Sequence, residues 1–477
     1  MYQIDFNHPI HVYFVGIGGV SMSGLARILK SRGFTVSGSD RSESPETIRL
    51  IGEDIPVLYG QKEENITDDI DLAVFTAAIH PDNPEYVAVQ KKQIPALTRA
   101  QLLGQIMKNY DLPVAISGTH GKTTTTSMIS EILLAGDTDP TLTIGGSLPS
   151  IGGNVRIGRS GYFIAEACEY TNSFLSMFPK IGIILNVDAD HLDFFKDLDD
   201  IRASFRKFAQ LIPEDGLLII NGDIPNLSEI TEGLSCRIIT FGSSPENDYY
   251  ADAVSYDEQG HPVFEAVRKA SFIKEAAGHK GAENEAVILP LHLQVPGEHN
   301  AYNALAALAA SDYMGIPETI AALALGRFGG TDRRFQILGQ RRGVTIVDDY
   351  AHHPTEITAT LRAAAHYPHE KLYLVFQPHT YTRTKALMSE FARALTLADV
   401  VIVADIYAAR ETDTLGISSQ TLRDEVLKLG HDCLYFDSFD KIKNYLSANC
   451  RKGDLLITMG AGNVNSIAKE LVSEKEI

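Results

Sequence analysis

The stretch "VAISGTHGKTTTT" (114–126) carries the clearest chemistry in the chain: an apolar run stops at Gly118 and Gly121, and Lys122 stands ahead of a row of hydroxyls. A complete phosphate loop, GxxxxGK[ST], needs glycine at position 116, where Ile116 stands. The shortened turn Gly118-Thr119-His120-Gly121-Lys122-Thr123-Thr124 still reads as strand, turn, helix. Backbone N–H groups at a helix N-terminus cradle phosphate oxygens. Lys122 would neutralise the β- and γ-phosphates, and the Thr123 hydroxyl would ligate Mg²⁺. The bland alternative is a capping turn with an exposed lysine. Gly-Lys-Thr directly after a buried strand favours the phosphate.

A second glycine turn, "FVGIGGVSMSG" (14–24), places Gly16, Gly18 and Gly19 after another apolar run, with Ser21 where GxGxxG has its last glycine. Ser39 and Asp40 lie about twenty residues on, where a ribose-binding acid sits in dinucleotide folds. A dinucleotide, a UDP-sugar or no ligand all fit this turn alone, and Ser21 argues against NAD.

Carboxylates and imidazoles gather after other apolar runs. "FIAEACEYTNSFL" ends a strand at Glu166, with Glu169 three residues later. Either carboxylate suits Mg²⁺, and either is equally at home at a helix N-terminus. "LNVDADHLD" brings Asn186, Asp188, Asp190, His191 and Asp193 together, a set that suits a metal, a general base or a helix cap. "VDDYAHHPTEI" and "FQPHTYTRT" add Asp348, Asp349, Tyr350, His352, His353, His379 and Arg383. The HHP spacing matches no zinc pattern, so these loops read as substrate contacts. Arg333 in "GTDRRF" is a phosphate clamp or a solvated hinge charge.

The elements that must position these residues repeat three times along 477 residues, a length that suggests about three domains. Strand-like runs alternate with helical patterns in each block, which predicts α/β domains with mostly parallel sheets. The boundaries fall at 1–109, 110–327 and 328–477. Residues 237–295, with short alternating segments rich in Gly, Asp and Asn, read as a β-meander, and "LAVFTAAIH" (72–80) reads as a strand. A net charge of −19 disfavours nucleic acid as a partner, so any phosphate ligand is a small nucleotide met by local cations. Four cysteines without metal or disulfide spacing fit a reducing compartment. The N-terminus lacks a basic n-region, and no apolar run approaches ~18 residues, so a cytoplasmic protein without membrane insertion is expected.

Taken in order, "GIGGVSMSG", "SGTHGKTTT", "DADHLD", "PGEHNAYNALAA", "TDRRF", "DDYAHHPTEI" and "FQPHTYTRT" resemble the Mur ligase family over nearly the whole chain. The resemblance implies a UDP-sugar-binding Rossmann-like domain, a central ATPase domain and a C-terminal Rossmann-like domain that closes over the site. It implies an ATP-dependent amide ligase of peptidoglycan biosynthesis, nearest the member that joins L-alanine to UDP-N-acetylmuramate through an acyl phosphate. ATP would then be the co-substrate, with one or two Mg²⁺ and no NAD, in a monomer or homodimer.

By resemblance, Lys122 meets the transferring phosphoryl, Thr123 and Glu166 hold one Mg²⁺, and His191 is a second metal ligand. Asn300 approaches the adenine, while Arg333, Asp348 and Asp349 reach ribose or phosphates. Tyr350, His352, His379 and Arg383 handle the amino acid and the acyl phosphate. Departures from the family pattern are Cys168 and Tyr170 around Glu169, and Thr380 where an arginine is common. Phe205 stands where sister ligases carry a modified lysine. A sister that attaches an intact tripeptide shares most of these motifs. A dehydrogenase using only the first glycine turn, or a non-catalytic ATP-binding regulator, leaves the rest unexplained.

Overall fold

Apolar runs such as "LPVAIS" form strands buried on both faces, because helices cover both sides of the sheets they enter. The computed structural model describes residues 2–473, apart from 77–78, 270–285, 410 and 414. Three sheets result. The first holds β1 (His11–Val15), β2 (Thr35–Asp40), β3 (Val57–Tyr59), β4 (Leu72–Phe75) and β5 (Ala96–Thr98), all parallel in the order β3-β2-β1-β4-β5. The strand read over 72–80 ends at Phe75: Thr76, Ile79 and His80 are not in a strand, and residues 77–78 lie outside those described.

The second sheet has ten strands: β6 (Leu112–Ser117), β7 (Thr141–Leu148), β8 (Gly153–Arg156), β9 (Tyr162–Glu166), β10 (Ile181–Ile184), β11 (Leu217–Asn221), β12 (Arg237–Gly242), β13 (Tyr249–Tyr256), β14 (Pro262–Arg268) and β15 (Val287–His292). Their order is β15-β14-β13-β12-β11-β10-β6-β9-β7-β8. The meander expected over 237–295 begins later than its first residue. Ile239 and Phe241 of β12 are buried, and that strand runs parallel to β11 as part of the central sheet. Within that segment β13, β14 and β15 pair antiparallel with one another, and β13 joins β12 in parallel, so they extend the sheet rather than standing apart from it; at the opposite edge β7 and β8 are also antiparallel. Residues 270–285 of that segment lie outside the described residues.

The third sheet runs β16-β17-β21-β18-β19-β20, from β16 (Gln336–Arg341), β17 (Val344–Asp349), β18 (Leu372–Phe376), β19 (Val400–Val403), β20 (Cys433–Tyr435) and β21 (Leu455–Met459). Only the edge strand β16 is antiparallel. Among the described residues, no helix is long and apolar enough to cross a membrane.

Small residues set the close contacts between elements. The helix His299–Tyr313 buries Ala301, Ala304, Ala306, Ala307, Ala309 and Ala310, which lets it lie near the helix Lys122–Ala135. A Cβ on Gly104 would lie 1.8 Å from the Ser176 carbonyl oxygen, so only glycine allows the helix Arg99–Met107 to sit on that turn. Phe205 is fully buried and meets the Phe174 ring edge-on at 5.4 Å, a plain core position.

Candidate active site

The turn at the end of β6 needs its glycines. Gly118 has φ +142° and Gly121 φ +84°, and a Cβ on Gly121 would meet Asn303 Oδ1 at 2.7 Å. Gly121 is the N-cap of the helix that starts at Lys122. Lys122 Nζ donates to the carbonyl of Thr119 at 3.0 Å, to that of Gly118, and to Glu169 Oε2 at 3.0 Å. Burial pushes the Lys122 pKa down, but the Glu169 carboxylate more than offsets it and the ammonium titrates above its usual range. The lysine therefore enters the site charged.

Glu169 is 2% exposed and also faces His191 Nε2, at 3.6 Å from Oε1. Glu166 points elsewhere: its carboxylate accepts from the Gly145 N–H. The two glutamates that spacing left equivalent thus have different neighbours. His191 has φ +54°, stacks on Tyr170 with ring centroids 4.4 Å apart, and lies 3.8 Å from Asp190 Oδ2. Burial lowers its pKa, which keeps the imidazole neutral and able to donate a lone pair.

Asp190, 6% exposed, ties the central sheet to the third block: Arg383 Nε donates to its Oδ1 at 3.0 Å, while Arg383 Nη1 lies 3.1 Å from His379 Nδ1. Burial pushes His379 down to about 3 and His352 to about 4, so neither imidazole carries a proton charge near neutrality. In the sequence Asp190 is one of a set of acids suited to a metal, a general base or a helix cap, with nothing to pair it with Arg383. Its signal was the alternation of acids along "DADHLD", which does not say which acid reaches inward.

His120, read only as part of the phosphate turn, is a junction. Its Nδ1 lies 3.1 Å from Glu356 Oε1 and its Nε2 3.4 Å from Asp188 Oδ2, and Thr355 Oγ1 donates to the same Asp188 oxygen at 2.6 Å. The His353 ring is 4.8 Å away. Burial acts to lower the His120 pKa, but hydrogen bonds to Asp188 and Glu356 raise it to about 9 against an ordinary 6.5. A raised imidazole pKa stabilises the fold fully below pH 6.5 and loses that contribution as pH climbs through 9. The melting temperature should therefore fall between pH 6.5 and 9, by the equivalent of at most about 3 kcal/mol at 1.36 kcal/mol per unit. His120→Gln should flatten that slope. Equal slopes in both proteins would show the pairing absent in solution. Glu356, four residues after His352, was legible only as an i,i+4 partner on the first turn of a helix.

Arg333 sits at φ +62°, donates from Nε to Asp348 Oδ2 at 2.9 Å and from Nη2 to the Gly460 carbonyl at 2.6 Å, and covers the Tyr350 ring at 4.8 Å. Asp348 is 1% exposed and takes a further bond from Thr458 Oγ1. Asp349 accepts the N–H groups of Phe335 and Ala351, and burial pushes its pKa up to about 6. Both aspartates thus spend their oxygens holding the loop between the second and third blocks. Thr380, at φ +64°, caps the helix Tyr381–Ala386 through the Arg383 N–H.

Three cavities gather these residues. The largest, about 760 Å³, takes Lys122, Thr123, Glu166, His191, Arg333 and His352 from the second and third blocks, and is closed by Arg27 and Arg49 of the first. A second, of about 320 Å³, is walled by His120, Thr124, Asn186, Phe241 and Asn300 on one side and by Phe335, Asp349 and Ala359 on the other. The third, about 410 Å³, holds Tyr350, His352, His379, Arg383 and Glu411 beside Asp190 and His191. Asn300 Nδ2 bonds the Pro296 carbonyl and its Oδ1 accepts from Asn303, which fixes the amide at the cavity wall.

The first glycine turn is not brought into these cavities. The Gly18 N–H is taken by Asp40 Oδ2 at 2.8 Å, and the Ser39 carbonyl accepts the Gly16 and Ile17 N–H groups. The Ser39 side chain is fully buried, donating to Glu85, and the Ser21 hydroxyl accepts from Arg99 Nη1. Gly19 closes the turn onto the Gly16 carbonyl. What the first block presents to the large cavity is two helices, Val20–Ser31 through Val20, Ser23, Gly24 and Arg27, and Pro45–Gly52 through Pro45, Glu46, Arg49 and Leu50.

For Mg²⁺, the donors that fit are the Thr123 hydroxyl and the Glu166 carboxylate, which line one cavity and match a hard cation held by one or two protein oxygens. His191 offers nitrogen, a softer donor than Mg²⁺ prefers, though it lines the same space.

Comparison with known proteins agrees with this architecture. Three family descriptions match successive parts of the chain: "Mur ligase family, catalytic domain" over 11–111, "Mur ligase middle domain" over 116–311, and "Mur ligase, glutamate ligase domain" over 333–462. The chain belongs to the Mur ligase family. Among its relatives, the UDP-N-acetylmuramate–L-alanine ligase of Agathobacter rectalis is 55% identical over 474 residues, spanning 99% of this chain and 100% of that one. The crystal structure of UDP-N-acetylmuramate-alanine ligase from Thermotoga maritima is 28% identical, covers 97% of this chain and 98% of its own, and has a TM-score of 0.78. A murein peptide ligase from Psychrobacter arcticus, 23% identical with a TM-score of 0.69 over 98% of this chain and 100% of its own, shares the fold.

Proposed function

We propose that this chain is an ATP-dependent ligase that joins L-alanine to UDP-N-acetylmuramate, releasing ADP and phosphate, at an early cytoplasmic step of peptidoglycan synthesis. The observation that carries the reading is the large cavity itself. It sets the phosphate turn with Lys122 within reach of imidazoles from the third block and arginines from the first, as a reaction of three substrates requires. The full-length identity to an L-alanine ligase favours that amino acid over the tripeptide.

A carboxylate acylates poorly because oxide is a bad leaving group, whereas phosphate leaves readily from an acyl phosphate. Forming it brings the sugar carboxylate against a triphosphate, and the two repel. Lys122 offsets that repulsion at the transferring phosphoryl, and backbone N–H groups of the 118–124 turn hold the other phosphate oxygens. Thr123 and Glu166 would hold Mg²⁺, which supplies further charge neutralisation there, and His191 would hold a second ion. Asn300 and the walls around it take the nucleotide base, with Arg333, Asp348 and Asp349 fixing the joint beside the ribose and phosphates.

The third cavity takes the amino acid, where Tyr350, His352, His379 and Arg383 surround it. Burial keeps the imidazoles of His352 and His379 neutral near pH 7, so their ring nitrogens can accept hydrogen bonds from the alanine amino group and orient it for attack. Attack forms the C–N bond, and collapse of the tetrahedral adduct breaks the C–O bond to phosphate. The first glycine turn, with Gly16, Gly18, Gly19, Ser21, Ser39 and Asp40, shapes the start of the helix that meets the UDP-sugar. The enzyme works as a monomer or homodimer.

Purified protein incubated with ATP, Mg²⁺ and UDP-N-acetylmuramate should release phosphate only when L-alanine is present, and the UDP-sugar should gain the mass of one alanine residue. Turnover with the tripeptide and none with alanine would overturn the substrate assignment.

A further inference from the structure

On the antiparallel edge of the central sheet, one carboxylate oxygen receives two imidazoles. Asp257 Oδ2 accepts from His292 Nε2 at 2.8 Å and from His261 Nδ1 at 3.1 Å. Its other oxygen, Oδ1, accepts the backbone N–H groups of Gln259 and His261, so the carboxylate is held from behind. The three inward atoms all lie within 4.8 Å of one another. None of the three residues lines the cavities of the candidate active site.

We propose that Asp257, His261 and His292 bind a borderline divalent ion of the Zn²⁺ class, with water completing the shell. Ligands about 2.0–2.1 Å from a tetrahedral ion stand roughly 3.3 Å apart. The present separations of 2.8 and 3.1 Å need to open by only a few tenths of an ångström. Two neutral imidazoles and one carboxylate give the site a charge of −1, and nitrogen donors select against Mg²⁺. Each imidazole keeps its neutrality by moving its proton to the other ring nitrogen. The backbone bonds to Oδ1 orient the first ligand, as partners behind metal carboxylates do. His292, with its side chain half-exposed, leaves the entry path and the water position open.

The place matters for the ion's effect. The residue before Asp257, Tyr256, stacks on His366 with ring centroids 4.3 Å apart, and a Cβ on Gly260 would meet His366 Cβ at 3.0 Å. An ion joining the 257–261 turn to β15 therefore stiffens the central sheet where it touches the end of the helix Pro354–His366 of the third block.

The test is equilibrium dialysis of the metal-stripped full chain against Zn²⁺, with saturating Mg²⁺ and ADP occupying the nucleotide cleft. Wild-type protein should bind one equivalent more than His292→Ala or Asp257→Asn at equal free Zn²⁺, and Co²⁺ should give a visible band that both variants lose. Turnover of His292→Ala in Mg²⁺ alone should match wild type, which separates this site from the reaction. Equal zinc stoichiometry in wild type and His292→Ala, with the variant folded by its melting transition, would overturn the proposal.

Discussion

Lys122→Met should lower ligase turnover by on the order of 10³-fold or more, because the other cation of the phosphate turn, His120, is engaged by Asp188 and Glu356. The same change has a second effect. Glu169 is 2% exposed and pairs with Lys122 at 3.0 Å, so removing the ammonium leaves a buried carboxylate uncompensated, a loss of about 3–5 kcal/mol. Lys122→Met with Glu169→Gln should recover most of that stability and none of the activity. Steady-state rates and melting temperatures of wild type and the two variants separate the roles. Activity within tenfold of wild type in the single variant would remove Lys122 from the chemistry.

Arg383→Ala should reduce kcat by about 10²–10³-fold while leaving the KM for ATP within a few-fold, since the guanidinium faces the third cavity rather than the base cavity. Arg383 also holds Asp190 across the joint between the second and third blocks. Asp190→Asn tests which contribution dominates. If the guanidinium acts on the acyl phosphate, Asp190→Asn keeps most of the activity and Arg383→Lys little, because an ammonium lacks the fork. If Asp190→Asn is as impaired as Arg383→Ala, the interdomain pair itself is what turnover needs.

The alternation of strands and helices was legible from apolar runs alone, as "LPVAIS" before Gly118 and "YFIA" before Glu166 illustrate, since parallel strands buried on both faces read as near-continuous apolar runs. The loops after those strands were legible as sites for the same reason: chemistry collects where parallel strands end. What could not be read was the direction in which a side chain turns once there. Glu166 and Glu169 are three residues apart, yet one meets Gly145 and the other Lys122, because Glu166 is the last residue of β9 and Glu169 already stands at the start of the turn Tyr170–Ser176. Asp40 sat at the spacing of a ribose ligand, but its carboxylate closes on the Gly18 amide within its own turn. The links from His120 to Glu356 and from Asp190 to Arg383 span more than 190 residues in each case (|i−j| = 193 for the second) or join separate sheets, distances over which local pattern carries no information.

The base cavity has walls from two different blocks: Phe241, Asn300 and Asn186 on one side, Phe335, Asp349 and Ala359 on the other. A ligand held there would lose one wall if the two blocks moved apart, and regain it only when they closed again. The residence time of a nucleotide bound as proposed would then depend on that joint as well as on the loop at its phosphates. A compound filling both walls would act as a wedge against motion, slowing every turnover without touching a reacting atom.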